Sequence, residues 1–155
     1  MSLRSFADGT VVSKAKTMGE LARLLEKFGA TGQMIGEMDG CATVAFEAQK
    51  RRVLIRASLP NPKDEKWSRD GRERLRSPSQ RENAIRRETD RIWRVLLMSV
   101  KAKMVSVADE VETFEQAFMA HVVMPDGMTV CQHLGSRIAD AYATGRTPPL
   151  LGAPQ

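Results

Sequence analysis

At 155 residues, with 42% apolar and 28% charged side chains, the chain has the composition of one globular domain rather than of a disordered segment. The longest strongly apolar run, Val95 to Val100 with Ser99 inside it, is far short of the roughly 20 residues of a membrane span, and Met1 to Phe6 lacks the apolar stretch of a secretion signal. The net charge of +5 is unevenly spread: residues 63–103 hold thirteen basic and seven acidic side chains, whereas residues 104–155 hold two basic and six acidic ones.

The whole of 1–155 reads as a single domain with residues 1–15 as a flexible arm. Thr17-Met18-Gly19-Glu20 has the form of a capping box. Met18, Leu21, Leu24, Leu25 and Phe28 recur at helical spacing after it, and Gly29 supplies a left-handed stop. This predicts a helix over 18–28. Three strands follow, at 33–38, 41–48 and 51–59. Asp39-Gly40 is a two-residue hairpin signal, and Gln49-Lys50 marks a second tight connection. Val44 and Phe46, then Val53 and Ile55, alternate onto one face, so one face is buried and the other wet. The pattern is an antiparallel meander.

Pro60-Asn61-Pro62 ends the sheet, and 60–77 is a long charged loop with a lone Trp67. Ser77-Pro78-Ser79-Gln80 opens a long helix: a capping residue, proline in the first turn, and glutamine to reach back. Ile85, Thr89, Ile92, Trp93, Leu96, Leu97, Val100, Met104, Val107 and Val111 form its apolar stripe. At about 100° per residue, Arg87, Arg91, Arg94 and Lys101 fall opposite. Two shorter helices complete the chain. One runs from Thr113 to about His121; the other opens at Thr129 and ends near Ala143 before Gly145. Residues 146–155 form a loose, proline-rich tail. The expected class is α+β: helix, three-stranded antiparallel meander, long helix packed on the sheet, two shorter C-terminal helices.

No motif here has the spacing of a catalytic site. There is no nucleophile elbow, redox cysteine pair or phosphate-cradling glycine loop, and the carboxylates Glu110, Glu112 and Glu115 lack a partner cluster. His121, Cys131 and His133 are near in sequence. A structural zinc needs four ligands, so Cys41 would have to be the fourth, and ordinary histidines and free thiols are the simpler reading. No catalytic residue, metal or cofactor is therefore assigned.

Arginine dominates the basic stretch. Its planar fork grips phosphate and stacks on bases, and an aromatic side chain among cations offers a stacking platform. Arg72, Arg74, Arg76, Arg81, Arg87, Arg91, Arg94 and Lys101, with Trp67 and the hairpin cations Lys50, Arg51 and Arg52, are the expected nucleic-acid contacts. Single-stranded DNA is the expected partner. Met98 and Val105 interrupt the polar side of the long helix and suggest a homo-oligomer interface.

The chain resembles a group of small phage and prophage proteins with no assigned function. The residues that carry the likeness are Glu26-Lys27-Phe28-Gly29-Ala30, Val44-Ala45-Phe46, Trp93-Arg94-Val95-Leu96 with Lys101-Ala102-Lys103, and Thr113-Phe114-Glu115 with Phe118, Ala120 and His121. Pro125-Asp126-Gly127-Met128-Thr129-Val130 and Pro148-Pro149-Leu150-Leu151 complete it. The likeness spans the chain from about residue 18 and implies a phage protein in the cytoplasm of a bacterial host, with no active site to carry over. The order helix, three strands, long helix is also similar to the core of single-strand annealing proteins and to the double-stranded-RNA-binding domain, at the level of fold alone. Two functions follow as expectations: a nucleic-acid-binding accessory protein, or an effector that meets an acidic host enzyme or defence protein through the same charges.

Overall fold

A computed structural model describes residues 12–147 and Pro149. Its order is α1 (Lys14–Lys27), β1 (Thr31–Met38), β2 (Cys41–Ala48), β3 (Arg51–Ser58), α2 (Pro78–Ala108), α3 (Phe114–Phe118) and α4 (Val130–Thr144), with 3₁₀ turns at Glu65–Trp67 and Met119–His121. The strands form one antiparallel sheet in the order β1-β2-β3. The expected α+β architecture is the one the chain adopts.

Local chemistry explains most boundaries. Ser77 caps α2: its side chain accepts from the Gln80 N–H, and the Gln80 side chain accepts from the Ser77 N–H. Thr113 with Gln116 and Thr129 with Gln132 repeat the device at α3 and α4. Helix α1 ends in a Schellman motif: Gly29, at φ +73°, donates to the Glu26 carbonyl, and Ala30 donates to the Leu25 carbonyl. The start of α1 corrects the sequence reading. Ser13, whose side chain accepts from Lys16, is the cap, so the helix begins one turn earlier and Thr17 lies inside it, buried. Residues 14 and 15 are therefore helical rather than part of an arm, and 1–11 lie outside the described residues. Val111 also departs from expectation. Helix α2 stops at Ala108, Glu110 turns left-handed at φ +56°, and Val111 is 75% exposed.

Both long helices pack on one face of the sheet. Register sets Ile35, Val44 and Ile55 side by side, and Phe46 beside Val53, on that face. Leu21 and Leu25 of α1 and Trp93, Leu96, Leu97 and Val100 of α2 bury against them. Each large side chain so buried contributes about 1.5–3 kcal/mol of transfer free energy. Phe118 of α3 closes the core, edge-on to Phe46 at 5.7 Å between ring centroids. Trp93 joins three elements. Its indole N–H donates to Glu37 Oε1 on β1 at 3.0 Å, and the Lys14 ammonium donates to the same oxygen at 2.9 Å. The Lys14 backbone N–H donates to Asp90 on α2 at 2.7 Å.

No helix among the described residues covers the opposite face of the sheet, yet that face is not simply wet. Thr43 and Ala45 on central β2 are only 2% and 7% exposed. Their short side chains sit between Gly36 and Arg56, and between Met34 and Leu54, respectively. Met34, Leu54 and Arg56 on the flanking strands are longer than the β2 residues beside them.

Both hairpins have two-residue turns with positive φ: 49° and 70° at Asp39-Gly40, 48° and 61° at Gln49-Lys50. The first pair suits that conformation, while the second has neither glycine nor asparagine. Replacing Gln49-Lys50 by Asn-Gly is expected to stabilise the fold by about 1 kcal/mol, raising the thermal midpoint by about 2–4 °C. Thermal unfolding followed by circular dichroism checks this, and an unchanged or lower midpoint would contradict it.

Candidate nucleic-acid interface

The bonds from Lys14 to Asp90 and from Arg94 to Glu20 set the geometry of this face. They place α1 and α2 side by side, running in the same direction. Arg94 donates to Glu20 at 2.6 Å, and both side chains are 29% exposed. That bond, with the positive charges of Lys16 and Arg23 close by, holds the Glu20 carboxyl below the usual range despite its partial desolvation. Lys16, Glu20, Arg23 and Lys27 share one side of α1, at spacings of three, four and seven residues. On α2, Arg87, Arg94 and Lys101 recur every seven residues, so about 10.5 Å apart along the axis. Two cationic rows thus run beside each other with Glu20 between them. The Arg23, Arg87 and Lys101 side chains are exposed and make no ion pair or hydrogen bond to the described residues.

Lys16 and Arg23 escape a reading of the sequence because residues 1–62, with nine basic and six acidic side chains, carry a smaller excess than residues 63–103. The signal is present in the seven-residue spacing of like charges on one helix, but what makes it count is the proximity of α2.

The arginines of the 60–77 loop do different work. Arg69 donates to the Glu73 carbonyl at 2.8 Å, Arg76 to the Trp67 carbonyl at 3.3 Å, and Arg81 to the Pro62 carbonyl at 2.6 Å. Asp70 accepts from the backbone N–H groups of Arg72 and Arg74 at 2.8 and 3.0 Å and pairs with the Arg74 guanidinium. The N–H groups of Arg74 and Arg72 lower the pKa of the Asp70 carboxyl. The long charged loop therefore has internal structure: a 3₁₀ turn, then a tight reversal in which Arg69 bridges to Leu75. Arg74, Arg76 and Arg81 build that loop. Of the nucleic-acid contacts expected there, the Arg72 side chain alone faces solvent with no partner among the described residues.

On α2, Arg91 is engaged as a fork with Glu88, at 2.7 and 2.6 Å. Lys50, Arg51 and Arg52 sit at the β2–β3 turn, where Arg51 approaches Glu115 of α3 at 3.9 Å. An eight-residue strand separates them from the 60–77 loop, about 25 Å, so the structure does not bring these two expected groups together. Trp67 is half-buried beneath the Lys66 ammonium, which lies 4.8 Å from its ring centroid. Met98 and Val105 flank Lys101 on the outer side of α2, 38% and 41% exposed.

The residues considered for metal binding are dispersed. His133 pairs with Asp126 at 2.8 Å across the turn before α4, and His121 is partly buried beside Lys103, both of which lower its pKa. Among the described residues no three potential ligands cluster. No described helix is long and apolar enough to cross a membrane. Arg137 reaches back to the Pro149 carbonyl at 2.7 Å, so that residue of the tail is tied to α4. Compared with protein-family models, curated proteins and solved structures, the chain matches none.

If Asp70 organises the loop, Asp70→Ala leaves the Arg72 and Arg74 amides without their acceptor. Trypsin should then cut after Arg69, Arg72 or Arg74 at least several-fold faster than in the unsubstituted chain, with the helical circular-dichroism signal retained. Equal cleavage rates would contradict the role given to Asp70.

Proposed function

We propose that this chain is a non-catalytic nucleic-acid-binding accessory protein that holds the backbone of single-stranded DNA along the α1–α2 face. One observation carries the reading: Lys16 and Arg23 of α1 lie beside Arg94 of α2, around Glu20, with Arg87 and Lys101 continuing the α2 row. Phosphates meeting such rows release condensed counterions, which favours binding without regard to base sequence. A flexible single strand can adapt its phosphate positions to charges set by two helices. The phage or prophage setting rests on the resemblance in the amino-acid sequence.

This surface differs from the one the sequence suggests. Arg87 and Lys101 remain in it, Lys16 and Arg23 join it, Arg94 is paired with Glu20 at its centre, and Asp70 and loop carbonyls engage Arg74, Arg76 and Arg81. A second reading, an effector that binds a host enzyme or defence protein, draws on another feature: among the described residues, Val122 and Val123 cover the outer edge of β3 only near Arg52 and Val53.

The variant Lys16→Gln, Arg23→Gln, Arg87→Gln, Lys101→Gln removes four cations without breaking an ion pair among the described residues. Its affinity for a labelled 20-residue oligothymidylate is expected to fall at least tenfold at 50 mM salt. The slope of log affinity against log salt should flatten by about 0.7 for each phosphate no longer neutralised. Neutralising Lys50 and Arg52 at the distant hairpin should have a much smaller effect. Fluorescence anisotropy across a salt series measures both. Unchanged affinity in the fourfold variant, or no binding by the unsubstituted chain, would overturn the proposal.

A further inference from the structure

The last three turns of α2 carry both signs of charge on their outer side. Met98, Lys101, Ala102, Val105, Ala108 and Asp109 are all exposed. At about 100° per residue they fall within one arc of roughly 120°. Lys101, Val105 and Asp109, four residues apart, form a ridge, and the small side chains of Ala102 and Ala108 lie on either side of it. Neither the Lys101 ammonium nor the Asp109 carboxylate has a partner among the described residues. They lie eight residues, about 12 Å, apart along the axis and do not meet each other.

The end of this helix lacks the cation that a helix end favours. Unsatisfied carbonyls give a helix C-terminus partial negative charge, which a nearby cation stabilises. The last turn of α2 holds no basic residue, Asp109 is its C-cap, and Glu110 and Glu112 follow. Lys103, the basic residue nearest that end in sequence, turns away and donates to the Ala117 carbonyl at 2.7 Å. Glu112 accepts from the Ser106 hydroxyl at 2.6 Å. The carboxylates of Asp109 and Glu110 have no partner among the described residues. A cation from outside the chain would meet both the carboxylates and the negative end of the dipole.

We propose that a second copy of this chain docks on this face, with the two α2 helices antiparallel about a two-fold axis at Val105. In such an interface residue i meets residue j and j meets i. Lys101 and Asp109 stand four residues before and four after Val105, so each Lys101 comes to the Asp109 of the other copy. Val105 then packs beside its own mate, and the alanines let the backbones approach. A partner of another kind would have to bring an anion and a cation at this same spacing; the second copy brings both by symmetry. The contact spans about three turns of each helix, at the low end of interface sizes, so the dimer is weak, with a dissociation constant of about 0.1–1 mM. Lys101 also belongs to the cationic row of α2, so a bound strand and a second copy compete for it. The dimer does not rest on the nucleic-acid reading, and its test contains no nucleic acid.

Sedimentation of the full chain, at concentrations up to about 1 mM, measures the association. Lys101→Glu and Asp109→Lys each set like charges against each other twice across the axis, and each is expected to weaken dimerisation at least fivefold. Mixed one to one, the two variants are complementary at both contacts and should pair within about threefold of the strength of the unsubstituted dimer. The double variant Lys101→Glu, Asp109→Lys keeps the net charge of +5 and should recover to the same extent, which separates contact from general repulsion between copies. Val105→Glu places two carboxylates at the axis and should abolish the dimer. A chain that stays monomeric throughout would overturn the proposal. So would dimerisation that both single charge variants leave unchanged, or a loss that neither the mixture nor the double variant restores. Should a variant fail to fold, isotope-filtered nuclear Overhauser spectra of mixed labelled and unlabelled copies of the unsubstituted chain decide the matter. Contact between the Val105 methyls of the two copies is expected, and its absence at about 1 mM would contradict the proposed axis.

Discussion

Trp93 stands where α1, α2 and β1 meet, and the disposition of the whole molecule depends on that junction. Its ring is fully buried in the core, while its N–H reaches Glu37, which Lys14 also holds. A small sheet needs a hydrophobic face to bury or a helix to pack against for stability of its own. Here two helices share one face, side by side. The consequence is asymmetry among the described residues: a helical layer on one face of the sheet, none on the other, and a strand edge only partly covered.

Charge counts alone do not distinguish structural arginines from available ones. Residues 63–103 hold thirteen of the chain's 24 basic side chains, yet several of these are consumed by neighbouring carbonyls or carboxylates. A guanidinium with five donors is well suited to tie an irregular loop to itself, since each backbone carbonyl it reaches is one less left unsatisfied. On the α1–α2 face, Lys16, Arg23, Arg87 and Lys101 have no such partner among the described residues. Surface ion pairs such as Arg94–Glu20 add little stability, but this one fixes which side chains lie beside which.

Much of the fold is legible in the sequence because its signals are local. Ser77-Pro78 with Gln80, Thr113 with Gln116 and Thr129 with Gln132 each satisfy backbone groups within four residues, and Asp39-Gly40 needs only its own two dihedral angles. Thr17 with Glu20 has the same spacing, but the competing cap at Ser13 wins. Thr17 faces the core, and Glu20 is drawn to an arginine 74 residues away. That separation marks the limit of reading a site from the sequence. Helical spacing alone puts Arg94 on the polar side of α2, but its neighbours Lys16 and Arg23 become visible only once α1 lies against α2.

The central claim is that most of the unpaired positive charge among the described residues lies on the α1–α2 face rather than on the arginine-rich loop. Mapping backbone amide shifts by nuclear magnetic resonance, as a 12-residue oligothymidylate is added at low salt, tests it most directly. The account predicts progressive shifts in residues 16–27 and 87–101, with residues 69–76 and the 50–52 hairpin little affected. Shifts confined to 69–76 or 50–52, with α1 unperturbed, would contradict it.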